Sequence, residues 1–295
     1  RGILPGGQIK KGFKMELVSV VGTTGRQGLA QMRQLALAGY RVRALSRNPQ
    51  PDFGGSVEVD ECRVIDLSND STYAEAFEGS DAVFYNHPLQ TREERANIVG
   101  LVGAAANAVG VKRLVWNTSS WIPDKPGDPF THQNNTDALN ALFRSGVPST
   151  VFGSVLFMDN LLTNWARPFI VNEGRYVYAH KPGLLANWIS FDDVGKCMVA
   201  ALRRPDLEGA WMNIGGPERL SPEDVAQVLA KALGKRVVFD PCTPEKFGDL
   251  LVDAWGDTMA ADKRAAFSAG IAAFYRYNND SPTEPFKVNF RHVRD

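Results

Sequence analysis

Three glycines, Gly22, Gly25 and Gly28, recur at three-residue spacing in the run Val21-Gly-Thr-Thr-Gly-Arg-Gln-Gly28. Such a turn lets backbone approach a ligand with no Cβ in the way. It follows the β-branched apolar run Leu17–Val21 and opens onto a helical pattern through Leu29, Met32, Leu35 and Leu37. The free N–H groups and positive dipole end of that helix favour a phosphate at the turn. Glycines also mark ordinary turns. Here a strand before, a helix after and a second strand one βαβ unit later favour a dinucleotide-phosphate turn.

The second strand, Arg41–Ser46, points to the dinucleotide. An NAD-binding unit usually ends this strand with an acid that takes the ribose 2′-hydroxyl, and none stands here. Instead Arg47 lies 22 positions after Gly25. A guanidinium pairs with a 2′-phosphate, which a carboxylate would repel. Arg26, inside the turn, is a candidate second positive charge. The competing reading of Arg47 is a solvated loop arginine. The pattern favours NADP(H) over NAD(H).

The elements that must hold these residues alternate along the chain. Strands are expected at 58–65, 81–85, 113–117 and from about 150, with helices at 71–77, 92–108 and 136–144. Each parallel neighbour needs a crossover, so the alternation implies an α/β fold with a doubly wound, Rossmann-like parallel sheet. The expected division is an extension or expression remnant over 1–14, an NADP-binding domain over 15–155 and a smaller α+β, mainly substrate-binding part over 156–295. Strand elements return to the sheet from about 185–215. In the last part, Ser221-Pro-Glu-Asp opens a helix ending at Leu233-Gly234, and 236–239 reads as a short strand. All six tryptophans lie after residue 115. They serve either as core or as walls of an aromatic pocket; Tyr85, Trp121, Phe157 and Met158 are the substrate-contact candidates.

The 33 basic and 33 acidic residues cancel, which gives no electrostatic case for a nucleic-acid partner. Cys62, Cys197 and Cys242 form no CxxC pair, so neither a disulfide frame nor a metal site is expected. The uncharged stretch 96–111 is too short to span a membrane. Residues 1–14 have no apolar core of signal-peptide length. The expectation is a cytoplasmic monomer or homodimer acting on a small, aromatic molecule.

The chain resembles an atypical short-chain dehydrogenase/reductase of the NmrA-like kind, and is similar to isoflavone and lignan reductases and to NADPH:quinone reductases. The resemblance runs from Met15 to about Phe247. It rests on Val21–Gly28, Ser46-Arg47, Asp66-Leu67, Ser145-Gly-Val-Pro148, Phe157-Met-Asp-Asn160, Ile189–Gly195 and Asn213–Pro217. It implies that Gly22, Thr24, Gly25, Arg26, Gln27 and Gly28 form the pyrophosphate turn. It places Ser46 and Arg47 at the 2′-phosphate, Asp66 and Leu67 at the adenine, and Asn86 and His87 beside the nicotinamide ribose.

The catalytic pattern departs from the family. No tyrosine has lysine four residues later, so the Tyr-x-x-x-Lys pair of short-chain dehydrogenases is missing. Lignan-reductase relatives carry lysine eleven residues before the glycine of Ser-Gly-Val-Pro, and here that position is Asn135. An amide binds ribose hydroxyls but brings no charge. Ser119 and Ser120, just past the fifth strand, are candidate donors where ligands meet a doubly wound sheet. His132 is a candidate proton donor by its near-neutral pKa, with helix capping as the competing role; Tyr85 is a further candidate donor or a core residue. Two functions follow: an NADPH-dependent reductase of a small aromatic, quinone-like or conjugated carbonyl compound, or a non-enzymatic NADP(H) sensor that binds a protein partner. Fold alone does not choose between them.

Overall fold

Five consecutive residues without an exposed member, Leu17–Val21, form the strand on which the molecule is built, β1. The structure, a computed structural model, describes residues 16–55, 57–87, 92–128, 133–255 and 259–289. After β1 come α1 (Arg26–Leu37), β2 (Arg41–Ser46), β3 (Glu61–Val64), α2 (Tyr73–Phe77), β4 (Ala82–Asn86) and α3 (Arg92–Ala108). Then follow β5 (Arg113–Asn117), α4 (Gln133–Arg144), β6 (Ser149–Ser154), β7 (Arg175–Tyr178), β8 (Ala186–Asn187) and α5 (Phe191–Leu202). The chain continues with β9 (Trp211–Ile214), β10 (Arg219–Leu220), α6 (Pro222–Leu233), β11 (Val238–Pro241), α7 (Pro244–Trp255) and α8 (Ala261–Asp280).

Seven strands form one parallel sheet in the order β3-β2-β1-β4-β5-β6-β9. The fold is therefore the doubly wound, Rossmann-like α/β sheet expected from the alternation. The order reverses between β1 and β4, and ligands of such sheets bind outside the strand C-termini at that switch point. Burial on both faces explains the continuous apolar runs. Val18, Val20, Phe84 and Val115 face the layer that holds α1 and α5, while Val83, Tyr85, Leu114 and Trp116 face the α2–α3–α4 side. β9 joins the sheet beside β6 from far along the chain.

Two strands are shifted from their expected spans. The run 58–65 becomes regular strand only from Glu61; at Asp60 the backbone N–H donates to the Val42 carbonyl at 2.9 Å, but the side-chain carboxylate takes the Val42 N–H at 2.8 Å. The strand expected at 236–239 forms at 238–241, in parallel register with β7. α4 begins three residues before its expected start.

The remaining elements surround a second core. Trp121, Trp165, Tyr176, Tyr178, Trp188, Phe247, Tyr275 and Phe286 pack together there. The pairs β7–β11 and β8–β10 flank this cluster with α6, α7 and α8. No described helix is long and apolar enough to cross a membrane.

Candidate functional site

The glycine turn lies at the C-terminal end of β1, at the switch point. Gly22 has φ +78°, a left-handed conformation that suits glycine, and an added Cβ would lie 3.4 Å from the Asn86 Cβ. Gly28 permits the close approach of α1 to the turn: a Cβ there would fall 2.3 Å from the Gly22 carbonyl oxygen and 2.8 Å from the Thr23 Cα. Buried Thr23 anchors the turn by donating to the Leu45 carbonyl at 3.1 Å. Gly25 caps α1 with extended backbone, no side chain caps the helix, and its first turn carries no acid. Its terminal N–H groups are left for an anion. Thr24 is exposed and Gln27 half-buried.

Arg26 and Arg47 are placed differently. Arg26 donates to the Asp159 carbonyl at 2.8 Å and its guanidinium lies 5.1 Å from the Phe191 ring centroid. It joins the glycine turn to the 3₁₀ turn Met158–Leu162. Arg47 is exposed just past β2, after Ser46, whose hydroxyl accepts from the Asn48 N–H at 3.1 Å. The Asp66 carboxyl is held below the usual range by the Ser68 N–H and hydroxyl, with Arg47 adding to the effect. Leu67 packs at the edge of the α2–α3 core, and its carbonyl accepts from Tyr73.

Asn86 and Gln31 exchange two amide hydrogen bonds at 2.7 and 2.8 Å, and Asn86 also donates to the Val21 carbonyl. Its amide thus ties β4 to α1 and β1. Beside this pair lies a second polar cluster. Asn117 donates to Gln27 at 2.6 Å and accepts from Ser154 at 2.8 Å, while Ser119 and Gln27 meet at 3.1 Å. Ser119 has φ +62°, an uncommon left-handed conformation for serine. Gln31, Asn117 and Ser154 were not among the sequence candidates. A polar residue ending an apolar strand, as at Asn117, was the available signal.

The remaining candidates lie past β4 and β5. The Tyr85 hydroxyl and His87 Nδ1 are 2.6 Å apart. Burial pushes the Tyr85 phenol up; burial and the Arg95 charge hold His87 down to about 3, so both are neutral at pH 7. His87 Nε2 is buried without a partner among the described residues. Asn135 is 2% exposed. It accepts from Arg95 at 2.8 Å and donates to the Ser120 hydroxyl at 2.9 Å and the Trp121 carbonyl at 3.1 Å. Ser120 is half-buried. Trp121 is buried and donates from its indole to Asn278 at 3.0 Å. Phe157 lies beneath the surface against Phe191, at 4.7 Å between centroids, and Met158 is 41% exposed. His132 lies outside the described residues, as do residues 1–14. No group of three or more metal-ligating side chains occurs among the described residues.

A switch-point glycine turn, an uncapped helix terminus behind it and polar groups past β4 and β5 define a Rossmann-like α/β protein with a dinucleotide-type turn. The sequence pattern of the NmrA-like family matches residues 14–268, and the chain belongs to that family. Over 244 residues it is 32% identical to the (4-alkanoyl-5-oxo-2,5-dihydrofuran-3-yl)methyl phosphate reductase of Streptomyces griseus, covering 81% of this chain and 78% of that one. The triphenylmethane reductase of Citrobacter sp., solved with NADP(H), superposes with a TM-score of 0.71 at 18% identity, over 94% of this chain and 93% of its own. NmrA, a negative transcriptional regulator, superposes at 0.64 and 19% identity, over 92% and 97%.

Proposed function

We propose that this protein is an NADPH-dependent reductase delivering hydride to a small conjugated carbonyl, quinone-like or aromatic acceptor. The observation that carries the reading is one end of the sheet holding two things together: a glycine turn against which Gly28 lets the uncapped N-terminus of α1 pack, and the polar groups His87, Ser120 and Asn135 past β4 and β5. The reductase from Streptomyces griseus, at 32% identity, supports the class of reaction. The NADP(H) of the triphenylmethane reductase complex supports the cofactor.

In this reading Gly22, Thr24, Gly25, Gln27 and Gly28, with the first N–H groups of α1, hold the pyrophosphate. Ser46 and Arg47 take the 2′-phosphate, and Asp66 and Leu67 border the adenine. Arg26 fixes the glycine turn against Asp159 and Phe191. Residues 15–155 serve the cofactor and 156–295, apart from β9, serve mainly the substrate. When bound, the dihydronicotinamide supplies the hydride. The chain's own residues orient the acceptor and stabilise the charge that develops on its oxygen. Ser120 is the better donor of the two serines, because the Ser119 hydroxyl is engaged with Gln27. Quinones and conjugated carbonyls need little acid help, so a Tyr-x-x-x-Lys pair is dispensable for them.

The test is loss of dihydronicotinamide absorbance with purified protein against quinones, enones and triarylmethane dyes, alongside an NADPH titration. Turnover of any acceptor supports the reductase and narrows its substrate. Tight NADPH binding with no turnover replaces it with an NADP(H)-responsive regulator whose exposed surface meets a protein partner.

A further inference from the structure

Arg95 is a cation in an environment that opposes it. It stands in the first turn of α3, where the helix dipole is already positive. Among the described residues no carboxylate acts on it, and burial lowers its pKa. Its Nε is buried without a partner among the described residues, and the neighbouring His87 is neutral. Its hydrogen bond among the described residues goes to an uncharged amide, Asn135 Oδ1, at 2.8 Å. Burying an unpaired charge is costly, and such charges concentrate where they meet an anion during function.

The bonds that leave Arg95 run in one direction. A guanidinium only donates, so the Asn135 atom facing it must be the oxygen. The Trp121 carbonyl only accepts, which independently fixes Asn135 Nδ2 on the other side, 3.1 Å away. The same nitrogen donates to Ser120 Oγ at 2.9 Å. Ser120 Oγ therefore accepts from within the protein, and its own hydrogen has no acceptor among the described residues. Each bond polarises the next. The chain ends in a half-buried hydroxyl at the C-terminal end of β5, where an acceptor would sit.

We propose that Arg95, acting through Asn135 and Ser120, supplies the positive charge that stabilises the acceptor oxygen as it becomes an oxyanion. The proposal rests on the reductase reading. In relatives with lysine at the position of Asn135 the charge would come from α4; here it comes from α3 through an amide. Hydride addition to carbon moves an electron pair onto the acceptor oxygen. The Ser120 hydroxyl donates a hydrogen bond to that oxyanion and keeps its proton, and water protonates the product. Ser120 touches the substrate; Arg95 and Asn135 are positioning residues.

The experiment compares a simple enone, 2-cyclohexenone, with 1,4-benzoquinone in the full-length protein with NADPH, for wild type, Arg95→Met, Arg95→Lys and Ser120→Ala. The enolate is far more basic than the quinol anion and depends more on the relay. Arg95→Met and Ser120→Ala are expected to lower kcat on the enone by about 100-fold, to lower quinone turnover only a few-fold, and to leave the KM for NADPH unchanged. Arg95→Lys is expected to regain part of the enone rate. Equal losses on both acceptors, with no recovery in Arg95→Lys, overturn the relay and leave the reductase standing. No wild-type turnover of either acceptor, nor of any other quinone, enone or dye in the panel, removes the reductase reading and the relay with it. A second readout needs no turnover. With NADP⁺ present at a pH where free 4-nitrophenol is mostly neutral, the wild type is expected to raise the phenolate absorbance and Arg95→Met to abolish the rise; no rise in wild type overturns the proposal.

Discussion

Arg26 and Arg47 share a side chain and differ in what already holds them. Arg26 is committed to the Asp159 carbonyl and the Phe191 ring, so in the proposed reading discrimination between the two nicotinamide dinucleotides falls to Arg47. Arg47→Ala is expected to raise the Kd for NADPH about tenfold or more, near the ~1.5 kcal/mol of a hydrogen bond to a charged group. NADH should change little. Titration by nicotinamide fluorescence separates the two, and equal weakening of both would return Arg47 to a loop role. Gly28→Ala should behave in the opposite way. A methyl 2.3 Å from the Gly22 oxygen pushes α1 off the turn, and overpacking of this kind costs about 1–3 kcal/mol. Thermal stability should fall and both dinucleotides should weaken together. Unchanged Tm and affinities in Gly28→Ala would show that the turn tolerates a wider gap.

Elements were legible where their residues answer to neighbours close in sequence. β1, β4 and β5 are buried on both faces, so each reads as a mostly apolar run. The glycine turn follows from the same local grammar. Asn86 and Asn117 were harder, because what they do depends on Gln31 and Gln27, 55 and 90 residues away. Arg95 was invisible for the same reason: its partner Asn135 is 40 residues on, and an arginine opening a helix looks like a solvated one. α8 buries Ala272, Tyr275 and Asn278 alone, too sparse a set to mark a face. α6 is the opposite case. Ser221 accepts from the Asp224 N–H at 3.1 Å while the Asp224 carboxylate accepts from the Ser221 N–H at 2.9 Å, a reciprocal cap written in four residues. Ser221→Ala should cost about 1 kcal/mol and lower Tm by about 2–4 °C for a chain of this size. α6 lies away from the glycine turn, so NADPH affinity should hold; a loss of affinity would tie α6 to the site.

At the scale of the molecule, the two cores are fastened where the site forms. Trp121 accepts from Asn135 through its carbonyl and donates through its indole to Asn278 of α8, so the last described helix braces the wall past β5. The second core also holds a titratable ring. His180 is buried, with Tyr178, Tyr275, Phe286 and Trp188 at centroid distances of 4.5, 5.6, 5.5 and 5.9 Å, and its Nε2 has no partner among the described residues. Burial holds its pKa down to about 3, against an ordinary 6.5. Between those values the unfolded chain binds a proton that the folded protein refuses. Stability is then full above 6.5 and falls as pH drops toward 3, by about 1.4 kcal/mol per pH unit for this one ring. Carboxylates whose folded pKa is depressed, such as Asp224 and Asp193, withdraw their support only at lower pH, below their ordinary 3.8. The window from about 6.5 to 4.5 therefore isolates histidine. His180→Phe places a ring of similar size among the same aromatics and cannot take up a proton. Urea midpoints measured across that window should fall more steeply for wild type than for His180→Phe. Parallel slopes would mean that His180 titrates normally and that the second core admits water.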